Sequence, residues 1–302
     1  MATAISTRGI GIYGTEGNDK ISGTSGVNQD IYGYGGNDYI EAWKGDDFID
    51  GGSGNDTLKG GAGKDTIYGG AGDDYIWGGE GRDYIDGGAG FDVVSYLDIG
   101  YETNYGVKVD MRGAKTVVSS SNNDATINGH VKSDTLISIE GFEGSVKIDT
   151  FIGGAGNDSF WGDAGNDNLT GGAGINHLYG GDGNDTFAFN GVGGTDYVYE
   201  VKNSKYFAGG TKDRCYIAKT MTQSDVFFSR GGDDLILRTS DRSSEMHLVK
   251  WFTNFEVEQF YFEKDKSILT VQDVLNTLGE STIKSVEMVG INSTDMVDIA
   301  SA

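Results

Sequence analysis

Between residues 51 and 95 an apolar residue returns at every ninth position: Leu58, Ile67, Ile76, Ile85 and Val94. Each lies behind a glycine-rich six-residue loop, with glycine at positions one, two and four and aspartate at position six, as in GGSGNDTLK and GGAGKDTIY. A nine-residue period is neither the 3.6 of an amphipathic helix nor a sustained alternation. It suits a very short strand over positions seven to nine, in which position eight points one way and its neighbours the other. If each six-residue loop turns the chain back, two units make one coil, coils stack in parallel, and each aspartate lies ~4.8 Å from the one two units on. The pattern predicts an all-β fold, a parallel β-roll of nonapeptide units with one inward side chain per strand.

The period reaches backward through Asp47, Asp38, Asp30 and Asp19, with spacings of nine, eight and eleven. Asp19 and Asp30 read equally well as turn residues, and Ala42 and Trp43 stand where the loop has glycine elsewhere. From 96 to 143 the nonapeptide stops. YGVKVDM and TLISIEGF alternate as strands around the polar SSSNNDATINGH, which reads as a β-rich insertion. The period resumes from 144 to 188, so the repeats form two blocks. Aromatics then gather in DYVYEV, DVFFSRGGDDLILRT, MHLVKWF and VEQFYF, with a hairpin at Gly231 and Gly232. A solenoid needs a closed end, and the segment 189–270 reads as that cap. LTVQDVLNTLG suits a short helix. The division is therefore 1–95, 96–143, 144–188, 189–270 and a helix and tail over 271–302.

Composition sharpens the picture. Glycine is 51 of 302 residues and proline is absent, which excludes collagen, while the regular apolar positions exclude a flexible linker. The net charge of −23 makes nucleic acid an improbable partner and multivalent cations a natural one. Stacked aspartates repel by about 1 kcal/mol at ~4 Å in water, and by more where water is scarce. Calcium seated between the loops reverses that sign, because it accepts six to eight carboxylate and carbonyl oxygens. Glycine-rich loops can aim carbonyls inward.

The candidate ligands are Asp38, Asp47, Asp56, Asp65, Asp74, Asp83 and Asp92 in the first block and Asp149, Asp158, Asp167, Asn176 and Asp185 in the second. Asn176 brings a neutral oxygen and predicts a weaker site. The backbone carbonyls of Gly52, Gly54, Gly61, Gly63, Gly70, Gly72, Gly79, Gly81, Gly154, Gly156, Gly172, Gly174, Gly181 and Gly183 complete the set. Pairing each loop with the one two units on gives about eight calcium ions. In the first block the pairs are 38/56, 47/65, 56/74, 65/83 and 74/92, and in the second 149/167, 158/176 and 167/185.

No enzyme is written here. The three histidines share no metal-ligand spacing, neither HExxH nor GxSxG occurs, and the repeated carboxylates sit in equivalent settings. Cys215 reads as a buried small hydrophobe and excludes an intrachain disulfide. Tyr68, Tyr75, Trp77 and Trp161 read as outward strand residues. The N-terminus has no secretory signal pattern, and no segment is apolar enough to span a membrane.

Units such as GGAGKDTIY and GGAGNDSFW resemble the repeats-in-toxin (RTX) family, the haemolysin-type calcium-binding nonapeptide repeats. The resemblance implies a calcium-loaded β-roll, export through the type I secretion machinery guided by an uncleaved C-terminal signal, and a secreted or cell-surface location. Such a chain is unfolded at low calcium and folds outside the cell. Two alternatives stay open: a calcium-rigidified surface adhesin with a cell-surface or glycan ligand, and the calcium-binding part of a longer RTX cytotoxin or secreted hydrolase.

Overall fold

The computed structural model describes residues 10–97, 106–112, 116–120, 134–199, 213–251 and 257–279. The polar stretch beyond 120 and the tail beyond 279, where an export signal is expected, lie outside the described residues. Almost every element is a strand, and consecutive strands of the repeats fall alternately into two facing sheets, of fourteen and twelve strands. Each repeat strand pairs in parallel with the strand two units on. In one sheet Ile31, Ile49, Ile67 and Ile85 are in register, and in the other Ile40, Leu58, Ile76 and Val94. These position-eight side chains are fully buried between the sheets. Burial of one aliphatic side chain contributes about 1.5–3 kcal/mol, and the roll has one per unit.

The two glycine-loop blocks are one solenoid. In the twelve-stranded sheet the inward residues run without a break from Val94 through Phe142 to Phe160, Leu178, Val198 and Leu248, so the insertion supplies an ordinary coil. In the other sheet it adds two strands, Val107–Asp110 and the antiparallel Thr116–Ser120, between Thr135–Ile137 and Thr150–Ile152. TLISIEGF, which reads as one strand, is two. Thr135–Ile137 belongs to one sheet and Gly141–Glu143 to the other, with Ser138 at φ 52° between them.

The flank continues the roll before closing it. Cys215 and Phe260 prolong the inward row beyond Phe187 in parallel register. Antiparallel strands then end both sheets: Val226–Gly231 with Asp234–Thr239 across the expected hairpin, and Ser267–Thr270 against Val257–Phe262. The helix Val271–Leu278 forms as its sequence predicts. Thr270 accepts from the Asp273 N–H at its start, Gly279 ends it at φ 71°, and Val274 and Leu275 are buried. No helix among the described residues is long and apolar enough to cross a membrane.

Candidate metal centre

The glycine loops sit so close that side chains have no room. A Cβ on Gly81, at φ 143°, would lie 1.6 Å from the carbonyl oxygen of Gly63. In three loops where position two is not glycine the turn is kept by strain: Tyr34, Trp43 and Asp163 adopt φ of 75°, 77° and 66°. The unit with Ala42 and Trp43 therefore keeps its turn.

This stacking places every position-six residue against its partner one coil on. The Asp38 N–H donates to Oδ1 of Asp56 at 2.7 Å, Asp47 to Asp65 at 2.9 Å, Asp56 to Asp74 at 2.8 Å, Asp65 to Asp83 at 2.9 Å and Asp74 to Asp92 at 2.9 Å. Further along, Asp149 donates to Asp167 at 2.7 Å, Asp158 to Asn176 at 3.0 Å and Asp167 to Asp185 at 2.8 Å. All these residues are buried. One carboxylate oxygen is thus used by the backbone.

The other is mostly left alone. Oδ2 of Asp38, Asp47, Asp56, Asp65, Asp74, Asp83, Asp92, Asp167 and Asp185 is buried with no hydrogen-bond partner, a costly arrangement for a charged acceptor. Those of Asp38, Asp56, Asp65, Asp74, Asp83, Asp92 and Asp167 face the position-one glycine of their own loop. A Cβ on Gly33 would sit 2.3 Å from Asp38 Oδ2 and 2.4 Å from the Gly51 carbonyl oxygen, and one on Gly51 would sit 2.4 Å from Asp56 Oδ2 and 2.6 Å from the Gly69 oxygen. A free carboxylate oxygen, a carbonyl of the next coil and a space that only glycine leaves open recur along both rows. The donor set is all hard oxygen, which fits calcium. Among the described residues no group of three or more His, Cys, Asp or Glu side chains converges, so carbonyls must supply much of any coordination shell.

Burial pushes the acids up. Asp65 rises to about 8 and Asp74 to about 7, from desolvation first and then from neighbouring aspartate charges, while the backbone hydrogen bond to each holds it down. Asp167 rises to about 10 for the same reasons. Without a cation these rows resist ionisation.

The expected ligand positions are not all alike. Asn176 spends its oxygen on the Asp158 N–H, which fixes the amide orientation, and aims its Nδ2 at Asp196 Oδ1, 2.8 Å away. It offers a donor where most other units offer a free oxygen. Asp149 and Asp158 have partners for Oδ2, the N–H groups of Ser145 at 2.7 Å and Gly154 at 3.0 Å. Among the expected carbonyls, those of Gly154 and Gly174 accept ladder hydrogen bonds from Ala173 and Thr195. Beside the free carboxylate oxygens of Asp38, Asp56, Asp65, Asp74 and Asp167 the carbonyl is the position-one carbonyl of the next coil, which sequence reasoning passed over. Asp30 is not a position-six residue. Gln29 takes that place, donating its N–H to Asp47 Oδ1 at 2.8 Å.

The rows also extend beyond the nonapeptides. The Asp83 N–H meets Asp134 Oδ1 at 2.9 Å, Asp92 meets Glu140 Oε2 at 3.1 Å, Asp185 meets Asp213 Oδ1 at 2.7 Å and Asp213 meets Glu258 Oε2 at 2.6 Å. Their signal was present as an acid followed two residues later by a buried apolar residue: Asp134 and Leu136, Glu140 and Phe142, Asp196 and Val198, Asp213 and Cys215, Glu258 and Phe260. A second ladder, from position five, also went unread. The N–H of Asn55 donates to Asn37 Oδ1 at 3.0 Å and that of Asp73 to Asn55 Oδ1 at 3.0 Å.

Cys215 is fully buried in the inward row and its thiol is pushed up by burial. The outward aromatics touch one another, between successive coils or, for Tyr75 and Trp77, within one strand. Tyr68 lies 5.7 Å from Phe48 and 5.9 Å from Tyr84, Tyr75 lies 4.3 Å from Trp77, and Trp161 is stacked on Tyr179 at 5.4 Å.

A model of the family described as the RTX calcium-binding nonapeptide repeat (4 copies) matches residues 12–29, 27–58, 59–94, 143–176 and 161–198. No curated protein matches. Among solved structures, extracellular lipase LipA from Serratia marcescens is similar, with 18% identity over 88% of this chain and a TM-score of 0.25. The match covers 41% of the lipase chain, so this chain corresponds to less than half of it.

Proposed function

We propose that this chain, which carries RTX calcium-binding nonapeptide repeats, is a non-catalytic module that stays unfolded at low calcium and folds on extracellular calcium after type I secretion. The supporting observation is the run of buried Asp Oδ2 atoms without partners, from Asp38 to Asp92 and again at Asp167 and Asp185. A fold that buries these charges with nothing opposite them is unfavourable, and a cation between successive coils turns the same geometry into the main stabilising term.

In this reading the aspartates of 38/56, 47/65, 56/74, 65/83, 74/92, 149/167 and 167/185 hold the ions. The position-one carbonyls join them, and carbonyls at positions two and four complete the oxygen count. The 158/176 pair is set aside because Asn176 presents its NH2 group. About seven ions would then bind in the nonapeptide rows. Calorimetric titration of the calcium-stripped chain tests this. Uptake of several ions coupled to heat of folding supports it, and uptake of one or two would reject it.

A second reading, that the roll is a calcium-rigidified surface or adhesive protein, draws support from the exposed rings of Tyr13, Tyr34 and Trp43. A glycan array probed with the calcium-loaded chain, blank or positive, separates the two.

A further inference from the structure

Asp92 closes the last unit of the first block, and no nonapeptide loop follows it in the stack. The coil above it comes from the insertion. The register Val93 to Gly141, Val94 to Phe142 and Ser95 to Glu143 sets Glu140 opposite Asp92. Glu140 Oε2 then accepts the Asp92 N–H, as Asp92 Oδ1 accepts that of Asp74 one coil below.

The missing glycine loop is replaced at the level of a single carbonyl. A Cβ on Gly87 would lie 2.2 Å from the Ser138 carbonyl oxygen and 2.5 Å from Asp92 Oδ2. At the preceding coil a Cβ on Gly69 would lie 2.4 Å from the Gly87 oxygen and 2.3 Å from Asp74 Oδ2. The two places are alike. Ser138 reaches its position through a left-handed backbone, φ 52°, in the turn between two strands of the insertion. Asp92 is fully buried, and its Oδ2 has no hydrogen-bond partner. Carboxylates and a carbonyl only accept, so a bound water could satisfy two of them at most. A divalent cation satisfies all of them.

We propose that Asp92, Glu140 and the Ser138 carbonyl form a further calcium site, outside the nonapeptide pairs, which fastens the insertion to the first block. This rests on the reading of the aspartate rows as calcium sites. Its consequence is that the stack of ions crosses the junction instead of ending at Asp92.

The test is equilibrium dialysis of the full chain against radioactive calcium at saturating concentration. Glu140→Gln is compared with wild type and with Asp65→Asn. Glutamine keeps an oxygen for the Asp92 N–H, so a merely structural role for Glu140 would leave the ion count unchanged. The expected result is one ion fewer for Glu140→Gln, with ions also lost from Asp65→Asn. A wild-type count for Glu140→Gln beside a reduced count for Asp65→Asn overturns the junction site and leaves the row reading standing. Wild-type counts for both overturn the row reading and this site with it. If Glu140→Gln does not fold, Glu140→Asp decides. Its carboxylate is one methylene short, and the expected outcome is an unchanged count with the last ion bound about tenfold more weakly, because ligand charge is kept and fit is lost. Unchanged affinity in that variant overturns the proposal.

Discussion

The backbone N–H of Asp56 donates to Oδ1 of Asp74 at 2.8 Å, while Oδ2 of the same Asp74 is buried without a partner. The first contact aligns two coils, and the second leaves a charge that the protein alone does not answer. In the proposed reading the geometry of the roll rests on hydrogen bonds and its stability on an ion.

Asp74 has coils on both sides, since its own N–H donates to Asp92. Asp74→Ala is expected to remove ions and to raise the calcium midpoint of folding severalfold, because two neighbouring sites share its carboxylate. Asn176→Ala is expected to lower stability by about 1–3 kcal/mol through lost buried hydrogen bonds, with no ion lost. Calcium titrations followed by circular dichroism, with ion counts, separate the two. Loss of an ion from Asn176→Ala would refute the assignment of its amide as a donor.

The pH response has a defined sign. Asp65 and Asp74 are raised in the fold to about 8 and about 7, from an ordinary value of 3.8. An acid raised in the folded state favours folding below its unfolded value and loses that contribution as pH rises through the folded one. The calcium-stripped chain is therefore expected to gain β structure as pH falls from 8 to 4. Calcium competes with those protons, so the calcium midpoint should rise as pH falls from 8 to 6. A stripped chain whose far-ultraviolet spectrum is the same at pH 8 and pH 4 would contradict this.

Gly81→Ala puts a methyl 1.6 Å from the Gly63 carbonyl oxygen at φ 143°. Backbone cannot yield there as a side chain would. A loss of about 3 kcal/mol or more is expected, in the range of severe strain effects, visible as a lower thermal midpoint in saturating calcium. A wild-type midpoint would show that the loops are not packed at this spacing.

Much of the fold is legible because one residue in nine is apolar and another is almost always acidic. The period locates Leu58 through Val94 and the pairing of Asp38 with Asp56. It fails where the loop changes but the strand does not. Asp134, Glu140, Asp213 and Glu258 hold row positions without glycine loops, so a search keyed on glycine misses them. Asp185, which reads as the end of its row, is followed by Asp213. Gln29 escapes because an amide does the work of a carboxylate, and the adjacent Asp30 draws the eye. Position-one carbonyls are invisible in sequence, since backbone direction is set only when coils stack.

The inward row runs past Phe187 to Cys215 and Phe260, so truncation after Ala188 uncovers the buried faces of Phe187 and Leu178. That fragment is expected not to fold in millimolar calcium although the nonapeptide aspartates remain, because a solenoid end must be covered. Removal of 280–302 is expected to leave calcium-induced folding intact and to abolish export through a type I system. Size-exclusion chromatography and a secretion assay check the pair. A folded 1–188 fragment would show the closing strands to be dispensable.

Circular dichroism of the full chain at neutral pH, in millimolar calcium and then in excess chelator, tests the central claim most directly. The expected result is a β spectrum in calcium that collapses to a disordered one on chelation and returns when calcium is restored. Magnesium should not restore it, because that ion demands octahedral geometry and gives up water reluctantly. A β spectrum unchanged by excess chelator would contradict the account.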